Sequence, residues 1–128
     1  MRLLLDTHIL LWALIEPTKL GVKVTEMLED LGNEVLFSAA SVWEISIKAA
    51  LGRADFGVEP DDLFATALSS GFKELPVLSR AALRVATLPL LHRDPFDRLL
   101  VAQAMTEPAV LVTADKQLSA YSELVMVV

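Results

Sequence analysis

The sequence predicts an α/β fold in which helices cover both faces of one parallel sheet. Short apolar runs of strand length alternate along the chain with stretches whose apolar residues recur at helical spacing. Hydrophobic residues make up 54% of the 128 residues, as expected when strands are buried on both faces. No linker, internal repeat or low-complexity segment divides the chain, so we expect a single domain over residues 1–128.

The N-terminal half contains two predicted strands, each followed by a helix. The first strand is an apolar run that ends abruptly at Asp6, and the apolar stretch after it predicts a helix. Residues 18–31 carry an amphipathic pattern and predict a second helix. Residues 34–38 are typical of a buried strand because of their β-branched and aromatic content. The helix after them contains Glu44 and ends at Gly52.

The C-terminal half continues the alternation after a predicted loop over residues 53–60. Pro60 and the two acids that follow it are typical of the first turn of a helix. A strand that contains Pro76 is expected at an edge of the sheet, because proline cannot donate to a ladder. The remaining predicted elements are that short strand over 72–76, a helix capped by Ser79, a helix that starts at Asp94-Pro95, and strands over 109–113 and 124–128.

The composition excludes several kinds of site. The chain has no cysteine, which rules out disulfides, zinc–thiolate sites, iron–sulfur clusters and cysteine nucleophiles. With only two histidines an all-histidine zinc site is not expected, so oxygen ligands would have to carry any metal. The net charge of −6 means that a polyanionic substrate would need a local basic rim or a bound cation. No apolar run is long enough to span a bilayer and no secretion signal is present, so we expect a cytoplasmic protein.

Acidic residues recur where a parallel sheet would bring them together. Asp6 and Asp115 each follow a predicted strand, whereas Glu44 and Asp97 lie in the first turns of helices that should start at the same edge. Four carboxylates in one pocket would repel one another strongly unless a divalent cation lies among them or some are protonated. Oxygen-only ligation favours Mg²⁺, with Mn²⁺ as a substitute.

Each of these acids also has an ordinary structural interpretation. Asp6 can cap the helix that follows it. Glu44 can form a surface ion pair with Lys48, four residues further along the helix. Asp97 can complete a capping box by reaching back to the backbone amide of Asp94. These alternatives remain open at the level of the sequence.

A magnesium site of this kind is well suited to hydrolysis of a phosphodiester, because the metal activates a water for attack on phosphorus and stabilises the leaving oxygen. Basic residues near the acids could bind the phosphates of such a substrate. We take Arg93, Arg98 and Lys116 as candidate contacts for these phosphates, with Lys48 and Arg53 also close to the acids in the sequence.

The chain resembles the PIN domain family, and in particular the bacterial VapC-type toxins of type II toxin–antitoxin systems. The resemblance covers nearly the whole chain, and the order and spacing of its short motifs are more specific than any one of them. These motifs are Leu3-Leu4-Leu5-Asp6-Thr7-His8, Ser41-Val42-Trp43-Glu44-Ile45, Asp94-Pro95-Phe96-Asp97-Arg98 and Thr113-Ala114-Asp115.

The resemblance implies a three-layer α/β/α sandwich with a central parallel sheet. It also implies a Mg²⁺- or Mn²⁺-dependent endoribonuclease that cleaves RNA such as tRNA or rRNA, forms a homodimer and is neutralised by a cognate antitoxin. His8 stands where a polar or small residue is also common in the family and has no clear role, so we interpret it as structural. The implied metal-binding and catalytic acids are Asp6, Glu44, Asp97 and Asp115, with Thr113 and Asp94 in supporting positions.

Two other functions remain open. A phospho-acceptor receiver domain also uses acids at strand ends with Mg²⁺, but it needs adjacent acids after the first strand, where this chain has Thr7 and His8 after Asp6. A catalytically inactive relative that works only by binding a partner is compatible with the apolar composition. Phosphorylation by a small phosphodonor would identify the receiver, and weak or absent Mn²⁺ binding would identify the inactive relative.

Overall fold

The computed structural model describes residues 1–52 and 57–128. Residues 53–56, the first part of the predicted loop over 53–60, lie outside the described residues. The strands are β1 (Arg2–Leu5), β2 (Glu34–Ser38), β3 (Lys73–Leu75), β4 (Val110–Thr113) and β5 (Val125–Val127). The helices are α1 (Thr7–Ile15), α2 (Gly21–Glu29), α3 (Ala39–Ala50), α4 (Pro60–Ser69), α5 (Ser79–Val85) and α6 (Pro95–Thr106), with 3-10 turns at Pro17–Lys19 and Lys116–Ala120.

The five strands form one parallel sheet in the order β3-β2-β1-β4-β5. The central strand β1 pairs with β2 on one side, where Leu4 lies opposite Leu36, and with β4 on the other, where Leu4 lies opposite Leu111. The parallel α/β/α architecture predicted from the alternation of strands and helices is therefore confirmed. The short strand β3 lies at the edge of the sheet, as Pro76 suggested.

Alternate residues of β1 face the two sides of the sheet, because successive side chains of a strand point in opposite directions. Leu3 and Leu5 pack in a core with residues of α1, α3 and α4. Leu4 packs on the other face in a second core, to which α6 contributes Leu100 and Val101. All three leucines are fully buried, so β1 belongs to both cores and its carboxyl end is held rigidly.

Two helix starts differ from the sequence expectations, and a third agrees with them. The amphipathic stretch 18–31 is not one helix but a 3-10 turn followed by α2, because Gly21 adopts a positive φ of 76° between them. Helix α5 begins at Ser79 itself, and the preceding Leu78 occupies the cap position without a side-chain bond. Asp94 does cap α6: its Oδ1 accepts hydrogen bonds from the backbone amides of Phe96 and Asp97.

Across residues 1–52 and 57–128, none of the helices combines the length and the apolar character that crossing a bilayer requires.

Candidate metal centre

The candidate site lies at the carboxyl ends of β1 and β4, next to the centre of the sheet. The chain adds β2 and β3 on one side of β1 and then returns to add β4 and β5 on the other side. The gap between β1 and β4 is therefore the point where the strand order reverses, and ligands bind at such points in open α/β sheets. Asp6 follows β1 there, and Thr113 and Asp115 lie at the end of β4.

Asp6 is buried at this point, with 5% of its surface exposed. Its Oδ1 accepts a hydrogen bond of 2.8 Å from the amide of Ile9, and its Oδ2 accepts one from the hydroxyl of Thr113. Burial raises the pKa of Asp6, because desolvation outweighs the two bonds that favour the charged carboxylate. The capping interpretation is thus correct for one oxygen, while the second oxygen faces β4.

Glu44 is also buried, with 4% of its surface exposed. The hydroxyl of Thr7 donates to its Oε1 at 2.7 Å, and Nζ of Lys48 lies 2.8 Å from its Oε2. The ion pair with Lys48 that the spacing suggested is present, but its acidic partner is inside the protein and not on the surface. Two partners therefore hold a buried carboxylate in one orientation, beside the residue that follows Asp6.

The carboxyl group of Asp97 is affected by the charges of the other acids. Its pKa is raised to about 7, first because the carboxyl is desolvated and then because Asp94, Asp6 and Glu44 repel its charge, with His92 partly opposing them. The predicted capping box is not formed, since the backbone amide of Asp94 donates instead to Nδ1 of His92 at 3.1 Å. Asp97 is thus a crowded carboxyl that does not cap its own helix.

Asp115 forms the more exposed side of the group. Its Oδ1 accepts from the backbone amide of Gln117 at 2.9 Å, and its Oδ2 lies 2.8 Å from Nε2 of His92. Burial opposes ionisation of Asp115, but the hydrogen bonds from Gln117 and His92 lower its pKa overall. Because Nδ1 of His92 accepts from the Asp94 amide, Nε2 is the nitrogen that donates to Asp115.

His92 is the residue of the site that sequence reasoning missed. It lies in a connector before α6, and no pattern in the sequence indicated a role for it. The structure places one atom each of His92, Asp97 and Asp115 within 4.8 Å of one another. One feature of the sequence could have indicated this position. His92 precedes the Asp94-Pro95 helix start by two residues, so its ring can accept a hydrogen bond from the amide of the N-cap residue.

The donor set fits a divalent cation. Asp97 and Asp115 supply carboxylate oxygens beside His92, and the charges of Asp6 and Glu44 act on Asp97. Hard cations such as Mg²⁺ and Mn²⁺ prefer such oxygen ligands, and a cation would remove the repulsion that raises the pKa of Asp97. His92 supports this donor set indirectly, because its Nε2 hydrogen bond holds the carboxylate of Asp115.

The three candidate RNA contacts lie in different surroundings. Arg93 and Lys116 are exposed near the acids and remain candidates. Arg98 is only 8% exposed, and its guanidinium donates to the carbonyl oxygens of Val85 and Leu88. These hydrogen bonds join α6 to the end of α5 and to the residues after it. The prediction that Arg98 contacts RNA is therefore not supported, because its side chain is buried. His8, interpreted from the sequence as structural, is exposed and lies against Trp12.

Replacing Thr113 with Val tests the link between β1 and β4. The Thr113 hydroxyl is fully buried, donates to Asp6 and accepts from the Asp115 amide at 3.0 Å. We expect Thr113→Val to lower the free energy of unfolding by about 1–3 kcal/mol, because a buried acceptor and a donor lose their partner without a change in side-chain shape. Urea denaturation in EDTA measures this effect. Thr113→Ser keeps the hydroxyl and serves as the control, and equal stability of the Val and wild-type proteins would contradict the assignment.

Comparisons with known proteins agree with this architecture. The model of the family described as PIN domain matches residues 3–124. No curated protein matches the sequence. Fourteen chains of solved structures match it, among them a chain from the crystal structure of VapBC2 from Rickettsia felis bound to a DNA fragment from their promoter. That chain has a TM-score of 0.68 and 14% identity, and the match covers 100% of this chain and 98% of that chain.

Proposed function

This chain belongs to the PIN domain family, and from that premise we propose that it is a divalent-metal-dependent endoribonuclease of the VapC type. Its substrate is RNA, such as tRNA or rRNA, and its reaction is hydrolysis of a phosphodiester bond. The fold shared with a chain of a VapBC complex supports the choice of the VapC type.

The observation that carries the proposal is the crowding of carboxyl groups at the strand-order reversal. Asp6 and Glu44 are buried, and both raise the pKa of Asp97 by repulsion after the larger effect of desolvation. Burying several carboxylates near one another costs free energy even when each has a partner, because each is desolvated and they repel one another. Groups whose pKa is shifted by burial and by like charges are concentrated at functional sites.

Asp6, Glu44, Asp97 and Asp115 would hold Mg²⁺ or Mn²⁺ in this proposal. When bound, the cation supplies an activated water and stabilises the negative charge that develops on the leaving oxygen. The surrounding residues keep the acids in place: Thr113 orients Asp6, and Thr7 with Lys48 orients Glu44. His92 orients Asp115, and Asp94 fixes the first turn that carries Asp97.

Arg93 and Lys116 are exposed next to the acids and would contact the phosphates of the RNA. Their positive charge, together with that of the cation, supplies local attraction for phosphates in a chain whose net charge is −6. This local compensation answers the objection that the chain as a whole is acidic.

We further propose that the protein acts in the cytoplasm as the toxin of a toxin–antitoxin pair and forms a homodimer. Several large apolar side chains are exposed in the described part of the chain and are available to pack against partner chains. Light scattering should give twice the mass of the 14.0 kDa chain, and a monomer at all concentrations would contradict the dimer. The most exposed of these side chains are Val22, Leu31, Leu83 and Leu90.

Cleavage of RNA by purified protein in Mg²⁺ tests the activity. We expect Asp6→Asn to lower the rate by about 10²- to 10³-fold, because the amide no longer offers two anionic oxygens to the cation. Asp61→Asn makes the same chemical change at an exposed position in the first turn of α4 and serves as the matched control. Full activity of Asp6→Asn, or no Mg²⁺-dependent cleavage by the wild type, would contradict the proposal.

A further inference from the structure

A cavity of about 300 Å³ lies beside the proposed metal centre, next to helix α1. Its lining comes from α1, from the 3-10 turn that follows α1, and from α3. Lys48 connects the cavity to the carboxylates, because it lines the cavity and its Nζ also lies 2.8 Å from Oε2 of Glu44. His8 lines it as well, and lies close enough to Asp6 to act on that carboxyl electrostatically.

The lining combines an aromatic and aliphatic wall with basic nitrogen groups. Trp12 and Ile15 form the apolar part, with the buried Leu11 behind them. Lys19 and Lys48 supply ammonium groups on the polar part. A flat apolar surface next to cations is the combination that binds a nucleotide, because the base stacks on the ring and the phosphate pairs with the cations.

Lys19 lies over this wall and is held there by weak contacts. Its Nζ is 5.8 Å from the centre of the Trp12 ring and 3.3 Å from Oε2 of Glu16. The side chains of Lys19 and Glu16 are 53% and 55% exposed, and ion pairs between exposed side chains contribute little. Lys19 can therefore exchange the ring and the carboxylate for a phosphate at small cost.

We propose that this cavity binds one nucleotide of a single-stranded RNA substrate next to the bond that is cut, with its base on Trp12 and its phosphate between Lys19 and Lys48. The proposal rests on the proposed ribonuclease function and names the form of its substrate. A single strand is required because a base inside a duplex is stacked on its neighbours and cannot reach the Trp12 ring. The cavity also supplies the local basic rim that an acidic chain needs to bind a polyanion.

Fluorescence of Trp12 measures this binding without any cleavage. The chain has two tryptophans, and the Trp43→Phe variant leaves Trp12 as the only one. Titration of this variant with adenosine 5′-monophosphate in EDTA should quench the emission saturably, whereas inorganic phosphate should not. A short single-stranded oligoadenylate should bind more tightly than the mononucleotide, and the same strand in a duplex should bind more weakly.

Charge variants identify the site. Lys19→Ala in the Trp43→Phe background should weaken binding of the mononucleotide about three- to fivefold, the effect of one exposed ionic contact. Lys23→Ala removes the same charge from an exposed position on α2 outside the lining and should leave binding unchanged. With labelled oligoadenylate and anisotropy detection, Trp12→Ala should weaken binding about tenfold, and Trp12→Phe should restore most of the affinity because a ring remains for stacking.

The outcomes separate this proposal from the proposed function. Absence of saturable quenching, equal effects of Lys19→Ala and Lys23→Ala, or burial of Trp12 between two copies of the chain would overturn the nucleotide site even if the protein cleaves RNA. Quenching with the expected variant pattern would support the site even if no cleavage is found, because the titration is carried out without metal.

Discussion

Asp97→Asn is expected to abolish RNA cleavage and, at the same time, to stabilise the metal-free protein. The loss of activity should be about 10²- to 10³-fold, as for any acid on which the cation depends. The gain in stability follows from the environment of Asp97, whose pKa is raised to about 7 by desolvation and by repulsion from Asp94, Asp6 and Glu44. A neutral amide of nearly the same shape removes both costs.

The sign of the pH dependence follows from the same shift. Below the ordinary pKa of aspartate the folded and unfolded chains both bind the proton, so Asp97 does not affect stability. Between about pH 4 and pH 7 the unfolded chain releases the proton while the folded chain keeps it, so stability falls as pH rises. Above about pH 7 the cost is complete, and we place it at about 2–4 kcal/mol.

Thermal unfolding in EDTA measures the effect of Asp97→Asn. At pH 8 the unfolding temperature should rise by about 7–15 °C over the wild type, and the difference should shrink towards pH 4. Asp61→Asn changes the net charge by the same amount at an exposed site, so it separates local crowding from the overall charge. A variant that is inactive and also less stable at pH 8 would contradict the crowding of carboxylates, whatever its effect on cleavage.

Mn²⁺ should stabilise the wild-type protein strongly at pH 8 and weakly at pH 5. A ligand at about 100 times its dissociation constant adds about 2.7 kcal/mol to stability, which corresponds here to about 10 °C in unfolding temperature. Because Asp97 must release its proton before it can bind a cation, apparent affinity should fall about tenfold for each pH unit below about 7.

Differential scanning calorimetry with and without Mn²⁺ at the two pH values checks this expectation. Mg²⁺ should act in the same direction, because it also prefers oxygen ligands. Asp97→Asn should lose most of the shift at pH 8. Stabilisation of equal size at both pH values would place the cation away from Asp97.

The sheet, and the places of Asp6 and Asp115 after neighbouring strands, could be predicted because they depend on short-range patterns. An apolar run that ends in an acid, as at Leu5-Asp6, indicates both a buried strand and its carboxyl end. The repetition of that pattern at Thr113 and Asp115 placed the second strand at the same edge, and the structure has β1 and β4 as neighbours.

The roles of Arg98 and His92 could not be predicted in the same way, because they depend on how α6 packs. Adjacent residues of a helix point about 100° apart, so Arg98 can be buried while Asp97 reaches the site. The side of α6 that carries Arg98 faces the protein, where the guanidinium donates to the carbonyl oxygens of Val85 and Leu88. These partners lie outside α6, so the pattern of the helix alone does not reveal them. The bonds of His92 to Asp94 and Asp115 likewise require that the connector folds over the end of β4.

The division of residues 18–31 into a turn and a helix was missed for a different reason. The amphipathic pattern is continuous, but Gly21 takes a positive φ that few other residues adopt without strain. Periodicity detects the apolar face and does not detect a change in backbone conformation at one residue.

Direct measurement of Mn²⁺ binding tests the central claim that distant acids form one cation site. Electron paramagnetic resonance of free Mn²⁺ at pH 8 should show that the wild type and Asp61→Asn bind the ion and that Mg²⁺ competes for it. Asp6→Asn and Asp97→Asn should each bind at least about tenfold more weakly, because Asp6 after β1 and Asp97 on α6 would share the same ion. Equal binding by all four proteins would contradict the account.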